Sequence, residues 1–154
     1  MKEFLIRAKK NTYANGAASK VNSSRVGSKD YHYTEIVNGK EMTYHDTYFG
    51  GEKFIGEEVV YIDNKPYWAM NYYGVTLKES LSEETMDNAL RPALMQVGVD
   101  ESVLPLRGPG KFENNGYTYT FEQEGNIENF IGVEKIYKDK ELIFELKCHG
   151  GIIK

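Results

Sequence analysis

The chain has 154 residues, 40% hydrophobic and 27% charged, with a net charge of −4 at pH 7, which suits one hydrophobic core and argues against a second full domain. The acidic balance lacks the basic excess that phosphate contacts need, so direct nucleic-acid binding is not expected. Cys148 stands alone, Met1 to Lys10 has no apolar core of signal-peptide length, and no run nears the ~20 apolar residues of a spanning helix; a reducing, cytoplasmic setting with no membrane partner is the expectation.

In chain order, Phe4, Leu5, Ala8 and Tyr13 recur at near-helical spacing and Gly16 follows as a stop, predicting a short amphipathic helix. Ala14 to Ser28 is small and polar and reads as a loop. Tyr31 to Val37 and Glu41 to Phe49 are β-rich runs separated by Asn38-Gly39, a strong hairpin signal. Phe54 to Ile62 and Tyr67 to Tyr73 flank Asp63-Asn64-Lys65-Pro66 and predict a second hairpin. Ser80 with Glu83 forms a capping-box pattern before Met86, Ala89, Leu90, Ala93, Leu94 and Val97, an apolar helical face that Pro92 should kink or interrupt. Two further hairpins are expected, turning at Asn114-Asn115-Gly116 or at Gly125, and at Lys138-Asp139-Lys140.

The order helix, strands, helix, strands suggests duplication. At a shift of 76, Phe54 to Gly74 aligns without gaps on Phe130 to Gly150, with Phe54/Phe130, Gly56/Gly132, Glu58/Glu134 and Asp63/Asp139 among the identities. Each half also carries an Arg in a Gly-containing loop with a Lys four residues later, Arg25 with Lys29 and Arg107 with Lys111. The expected fold is therefore α+β: one domain over 1–154 with pseudo-repeated halves of about 1–76 and 77–154. Each half would be a helix followed by antiparallel hairpins, together forming a curved sheet or distorted barrel.

Strand alternation places Phe54, Gly56, Glu58, Val60 and Ile62 on one face, and Phe130, Gly132, Glu134 and Ile136 on the matching face. A carboxylate thus sits in an apolar row twice. Burying it unpaired is costly, so each Glu should be protonated, meet a cation, or line a wet pocket; Arg25 and Arg107 are the candidate partners, either as structural pairs or as walls of a polar site. Gly56 and Gly132 would admit close approach of a backbone or ligand.

Other chemistry is weaker. His45 and Asp46 are neighbours on a strand and point to opposite faces. The three histidines match no zinc spacing, the acids are too scattered for a calcium loop, and neither a metal nor a cofactor is expected. Cys148 falls on the apolar face with Trp68, Met70 and Phe144 and reads as a core cysteine rather than a nucleophile.

The stretches His45-Asp46-Thr47-Tyr48-Phe49-Gly50-Gly51, Phe54 through Val60, Trp68-Ala69-Met70-Asn71-Tyr72-Tyr73-Gly74, Arg107-Gly108-Pro109 and His149-Gly150-Gly151-Ile152-Ile153-Lys154 together resemble a bacterial family known only as domain of unknown function 5680. The resemblance covers nearly the whole chain. Members occur alone or appended to helix-turn-helix regulators of the xenobiotic-response type, which implies by analogy a sensory module related to effector domains of transcriptional regulators. No activity carries over.

The leading expectation is a module binding a small polar or cationic aromatic ligand in a cleft built from Arg25, Tyr48, Glu58, Trp68, Asn71, Tyr73, Arg107, Glu134 and His149. The alternative is a small hydrolase-type enzyme with Glu58 or Glu134 as general base, Tyr48 or His149 assisting and Arg107 holding an anionic group. A small molecule is the expected partner, and a homo-oligomer is compatible with the sequence.

Overall fold

Four two-residue turns organise the strands. Asn38-Gly39, Asp63-Asn64, Asn115-Gly116 and Asp139-Lys140 all take positive φ at both positions, the geometry that matches the right-handed twist of a hairpin. In the computed structural model, which describes residues 1–16, 18, 20–77 and 83–153, eight strands result: β1 (Lys29–Val37), β2 (Lys40–Gly50), β3 (Lys53–Ile62), β4 (Lys65–Thr76), β5 (Lys111–Asn114), β6 (Tyr117–Asn126), β7 (Asn129–Lys138) and β8 (Glu141–Ile152). They form one antiparallel sheet in the order β1-β2-β3-β4-β8-β7-β6-β5. Each group of four is a meander. The two are joined by pairing of β4 with β8, from Trp68 opposite Ile152 to Thr76 opposite Phe144.

This overturns the expectation of an α+β protein made of two helix-plus-hairpin repeats. The hydrogen-bond ladder runs through β4 and β8 without a break, so there are no separate units, and helix is a minor component. A linear strand order with β1 and β5 as edges is also not a closed barrel. The agreement between Phe54–Gly74 and Phe130–Gly150 is that of two hairpins built by the same β chemistry inside one sheet. The second helix is fragmented as well: α2 (Glu83–Thr85), a π-helical turn Met86–Leu90, and α3 (Arg91–Leu94). Pro92 directly follows the π-helical turn inside a continuous αR run, and the Asn88 carbonyl four residues before it accepts instead from Asn114 Nδ2 at 3.0 Å. The capping-box Ser80 lies outside the described residues.

One sheet face is covered and the other open. The covered inner face carries Tyr44, Val60, Trp68, Met70, Ile136, Phe144 and Leu146, all fully buried. Onto it pack α1 (Lys2–Asn11), through Phe4, Leu5, Ala8 and Lys9, and the 83–94 segment, through Ala89, Leu90, Ala93 and Leu94. Trp68 stacks on Phe130 with centroids 5.7 Å apart and donates from Nε1 to the Ile127 carbonyl at 2.9 Å. On the outer face Ile55, Tyr73 and Ile131 are exposed. Among the described residues no helix is long and apolar enough to cross a membrane.

Candidate functional site

Alternation along β2 puts Met42, Tyr44, Asp46 and Tyr48 on the inner face. The register then sets Asp46 directly opposite Glu58 of β3, and Tyr48 opposite Gly56. Two carboxyl groups therefore lie side by side in a buried row, at 2% and 0% exposure. Like charges this close cannot both be comfortably ionised without compensation.

Compensation comes from the elements laid over the sheet. Lys9, on the buried stripe of α1, forms a wholly buried ion pair with Glu58. Burial pulls the Lys9 ammonium below the ordinary lysine value, and the charge of Glu58 works in the opposite direction. Arg107, in the loop before β5, donates from Nε and Nη2 to the two oxygens of Glu134 at 3.1 and 2.8 Å. Tyr119 donates to Glu134 Oε1 at 2.6 Å and accepts from the Gly108 N–H at 2.8 Å, so the loop, β6 and β7 are tied at one point. The Arg107 guanidinium also lies 5.1 Å from the Tyr13 ring centroid, and Lys9 Nζ lies 5.3 Å from the same ring.

Asp46 has no such cation. Its Oδ1 accepts from the Tyr72 hydroxyl at 2.6 Å, and its Oδ2 has no hydrogen bond to a described residue. Burial, followed by the charge of Glu58, raises the carboxyl to about 7, while the Tyr72 bond and the charges of Lys9 and Arg107 work against the rise. Gly56 makes room for this arrangement. A Cβ there would meet the Tyr72 hydroxyl at 2.5 Å and the Thr47 carbonyl at 2.6 Å, so the close approach expected at this glycine is that of Tyr72.

Asp46 lies on the wall of a cavity of about 460 Å³ between the inner face and the helical layer. Tyr13, Tyr31, Tyr48, Phe54 and Tyr72 supply aromatic walls; Met86, Leu90 and Leu94 close the helical side; Arg107 also contributes. Exposed Gly16, Lys20, Gly50, Gly51 and Glu52 form the mouth, with Lys29 and Arg91 part-buried beside them. Two of the mouth cations are already engaged. Lys29 donates to the Gly50 carbonyl at 2.9 Å and sits over Tyr48, and Arg91 pairs with Asp87.

The nine residues singled out in the sequence divide between the two faces. Tyr48 and Arg107 line the cavity. Glu58 and Glu134 lie in the same buried layer but are held by Lys9 and Arg107. Trp68 is core, packed on Phe130. Asn71, Tyr73 and His149 alternate with the buried Tyr72, Met70 and Cys148 and point out from the open face. Arg25 is also on that side: the 21–28 loop runs along β1, bridging Val21 to Asp30, and Arg25 pairs with Glu57, the neighbour of Glu58 that faces outward. Only the Arg107–Glu134 half of the anticipated Glu–Arg pairing is present. Asp46 was missed as a site residue, although the signal that exposed Glu58, an acid in an otherwise apolar alternating row, is equally present in Met42-Tyr44-Asp46-Tyr48.

Cys148 is a core thiol, 3% exposed, which burial pushes up to about 12. Outside the cavity, Asp30 accepts from Ser24, Ser28 and His45 and ties the 21–28 loop to the outer side of β1. Among the described residues no cluster of three or more His, Cys, Asp or Glu is arranged to hold a metal.

An open eight-stranded antiparallel sheet with an aromatic, acid-floored cavity under a thin helical layer defines the class. The chain belongs to the family described as Domain of unknown function (DUF5680), whose profile matches residues 46–153. The match begins at Asp46; α1, β1 and the cavity residues Tyr13, Lys20, Lys29 and Tyr31 lie before it. No curated protein and no solved structure matches the chain.

Proposed function

We propose that this protein is a small-molecule-binding module and that its ligand occupies the cavity between the inner sheet face and the helical layer. The observation that carries the reading is Asp46: a carboxyl 2% exposed, on the cavity wall, with one oxygen held by Tyr72 and the other available to an incoming donor. Ligand sites combine apolar and aromatic walls with few, well-placed polar groups, and about 460 Å³ is room for a one- or two-ring molecule. A ligand donor that meets the second Asp46 oxygen adds a hydrogen bond to a carboxyl already largely removed from bulk water. A sensory role beside a transcriptional regulator, in a reducing cytoplasm, fits the resemblance and the lone cysteine. The geometry gives no support to Glu58 or Glu134 as a general base, since each is clamped by a cation and His149 lies on the opposite face.

Amide chemical shifts of the labelled protein, recorded with a panel of one- and two-ring aromatic fragments of all charge types at millimolar concentration, test this reading. Shifts should concentrate on Tyr13, Asp46, Tyr48, Tyr72 and Leu90 and vanish when Met86→Trp fills the cavity from the helical side. Shifts confined to the open face around Tyr73 and His149, or no binding by any fragment, would overturn it.

A further inference from the structure

The inner face buries five acidic or basic side chains whose full charges do not cancel. Among the described residues they are Lys9 and Arg107 on the positive side, and Asp46, Glu58 and Glu134 on the negative. Lys9 neutralises Glu58, and Arg107 neutralises Glu134 through two hydrogen bonds. Asp46 is the remaining acid. It touches a neutral donor, Tyr72, faces Glu58 across the β2–β3 ladder, and feels Lys9 and Arg107 only through space while they bond the other two acids. Among the described residues no third buried cation lies in the layer. The position next to Asp46 where one would sit is the cavity, lined by Tyr13, Tyr31, Tyr48, Phe54 and Tyr72.

From this charge count and this lining we infer that the ligand is an organic monocation, a flat or aromatic body bearing a protonated nitrogen that donates to Asp46. The inference rests on the cavity reading above and adds the ligand's charge. Three physical arguments favour it. A positive group desolvated against a buried carboxylate forms a charge-assisted hydrogen bond, the stronger kind. Aromatic rings attract the same charge, and Tyr31, Phe54 and Tyr72 line the cavity with no described cation over them, unlike Tyr13 and Tyr48. With Asp46 ionised, its arrival also brings the buried layer to neutrality, a role that a proton on Asp46 fills in the empty protein. Of the three basic residues at the mouth, Lys29 and Arg91 are engaged by Gly50, Tyr48 and Asp87, and Glu52 shares the mouth with the third, Lys20, which leaves entry open to a cation.

The groups around Asp46 set how binding should respond to pH. Tyr72 donates to it; Glu58 opposes its ionisation; Lys9 and Arg107 favour it; and Tyr31, Tyr44 and Tyr48 are near enough for its charge to hold their protons more tightly. With the carboxyl at about 7 in the empty protein, a cation that requires the ionised form should bind about tenfold more weakly at about pH 6 than at about pH 8.

Benzamidinium, benzamide and benzoate share one flat body and differ in charge, and benzamidinium stays charged across that pH range. Titrating each into the wild-type protein and into Asp46→Asn, read by amide shifts, tests the inference. Benzamidinium should bind at least about tenfold more tightly than benzoate, lose about tenfold or more in Asp46→Asn, and show the pH response in the wild type, which needs no variant to fold. Tighter binding of benzoate or benzamide in the cavity, or benzamidinium binding indifferent to both Asp46→Asn and pH, would overturn the monocation while leaving the cavity reading standing. Failure of all three probes and of the fragment panel would overturn both.

Discussion

Glu58 and Asp46 sit opposite one another on adjacent strands, yet substitution should affect them in opposite senses. Glu58→Gln removes the only anion among the described residues that bonds the fully buried Lys9, and an ammonium stranded in that way typically costs about 3–5 kcal/mol. The double variant Lys9→Met with Glu58→Leu exchanges the pair for apolar groups of similar volume and should recover most of the loss. Urea denaturation of the three proteins measures this, and a double variant as unstable as Glu58→Gln would show that the pair contributes more than mutual neutralisation. Asp46, by contrast, is a liability to the empty protein. Its carboxyl is raised to about 7 from about 3.9 in an unfolded chain, so across that window the folded state keeps a proton that the unfolded state has released. Stability on Asp46's account is therefore full at and below about pH 4 and falls as pH rises towards 7, by up to roughly 4 kcal/mol. Asp46→Asn should raise stability at about pH 8, change little at about pH 4, and flatten the difference between them. An unchanged difference in the variant would mean that another group sets the slope.

At the level of elements, short-range chemistry was the most legible. Asn38-Gly39, Asp63-Asn64 and Asn115-Gly116 turn on residue types that accept positive φ readily, Asp139-Lys140 turns the same way with a lysine at its second position, and α1 buries the Phe4, Leu5 and Ala8 stripe that its spacing announced. The 83–97 stretch keeps a helical period that Pro92 is expected to kink or interrupt; the irregularity falls just before Pro92, as a π-helical turn over Met86–Leu90, a place that a period does not mark. Lys9 shows the same limit. On α1 it occupies the buried stripe next to Ala8, a place where composition expects an apolar residue, and only the presence of Glu58 beneath that stripe makes an ammonium tolerable there.

For the whole molecule, the continuous ladder through β4 and β8 predicts one cooperative transition. Trp68 is the sole tryptophan, lies in the strand adjoining β8, and stacks on Phe130 of β7, so its fluorescence reports on both meanders together. Urea transitions followed by Trp68 emission and by far-ultraviolet circular dichroism should coincide, whereas two separated midpoints would indicate meanders that melt independently. The sequence by itself determined the alternating faces, the turns, the buried acid in β3 and its counterpart in β7, and the family, because these depend on residues close together in the chain or on the pattern as a whole. Tertiary structure alone decided that the strands make one sheet rather than two units, that Glu58 meets Lys9 while Arg25 goes to Glu57 on the other face, and that Asp46 is the acid left facing a cavity. Each of those outcomes turns on which element crosses over which face, and that is settled by long-range pairing and packing to which local propensity and period are blind.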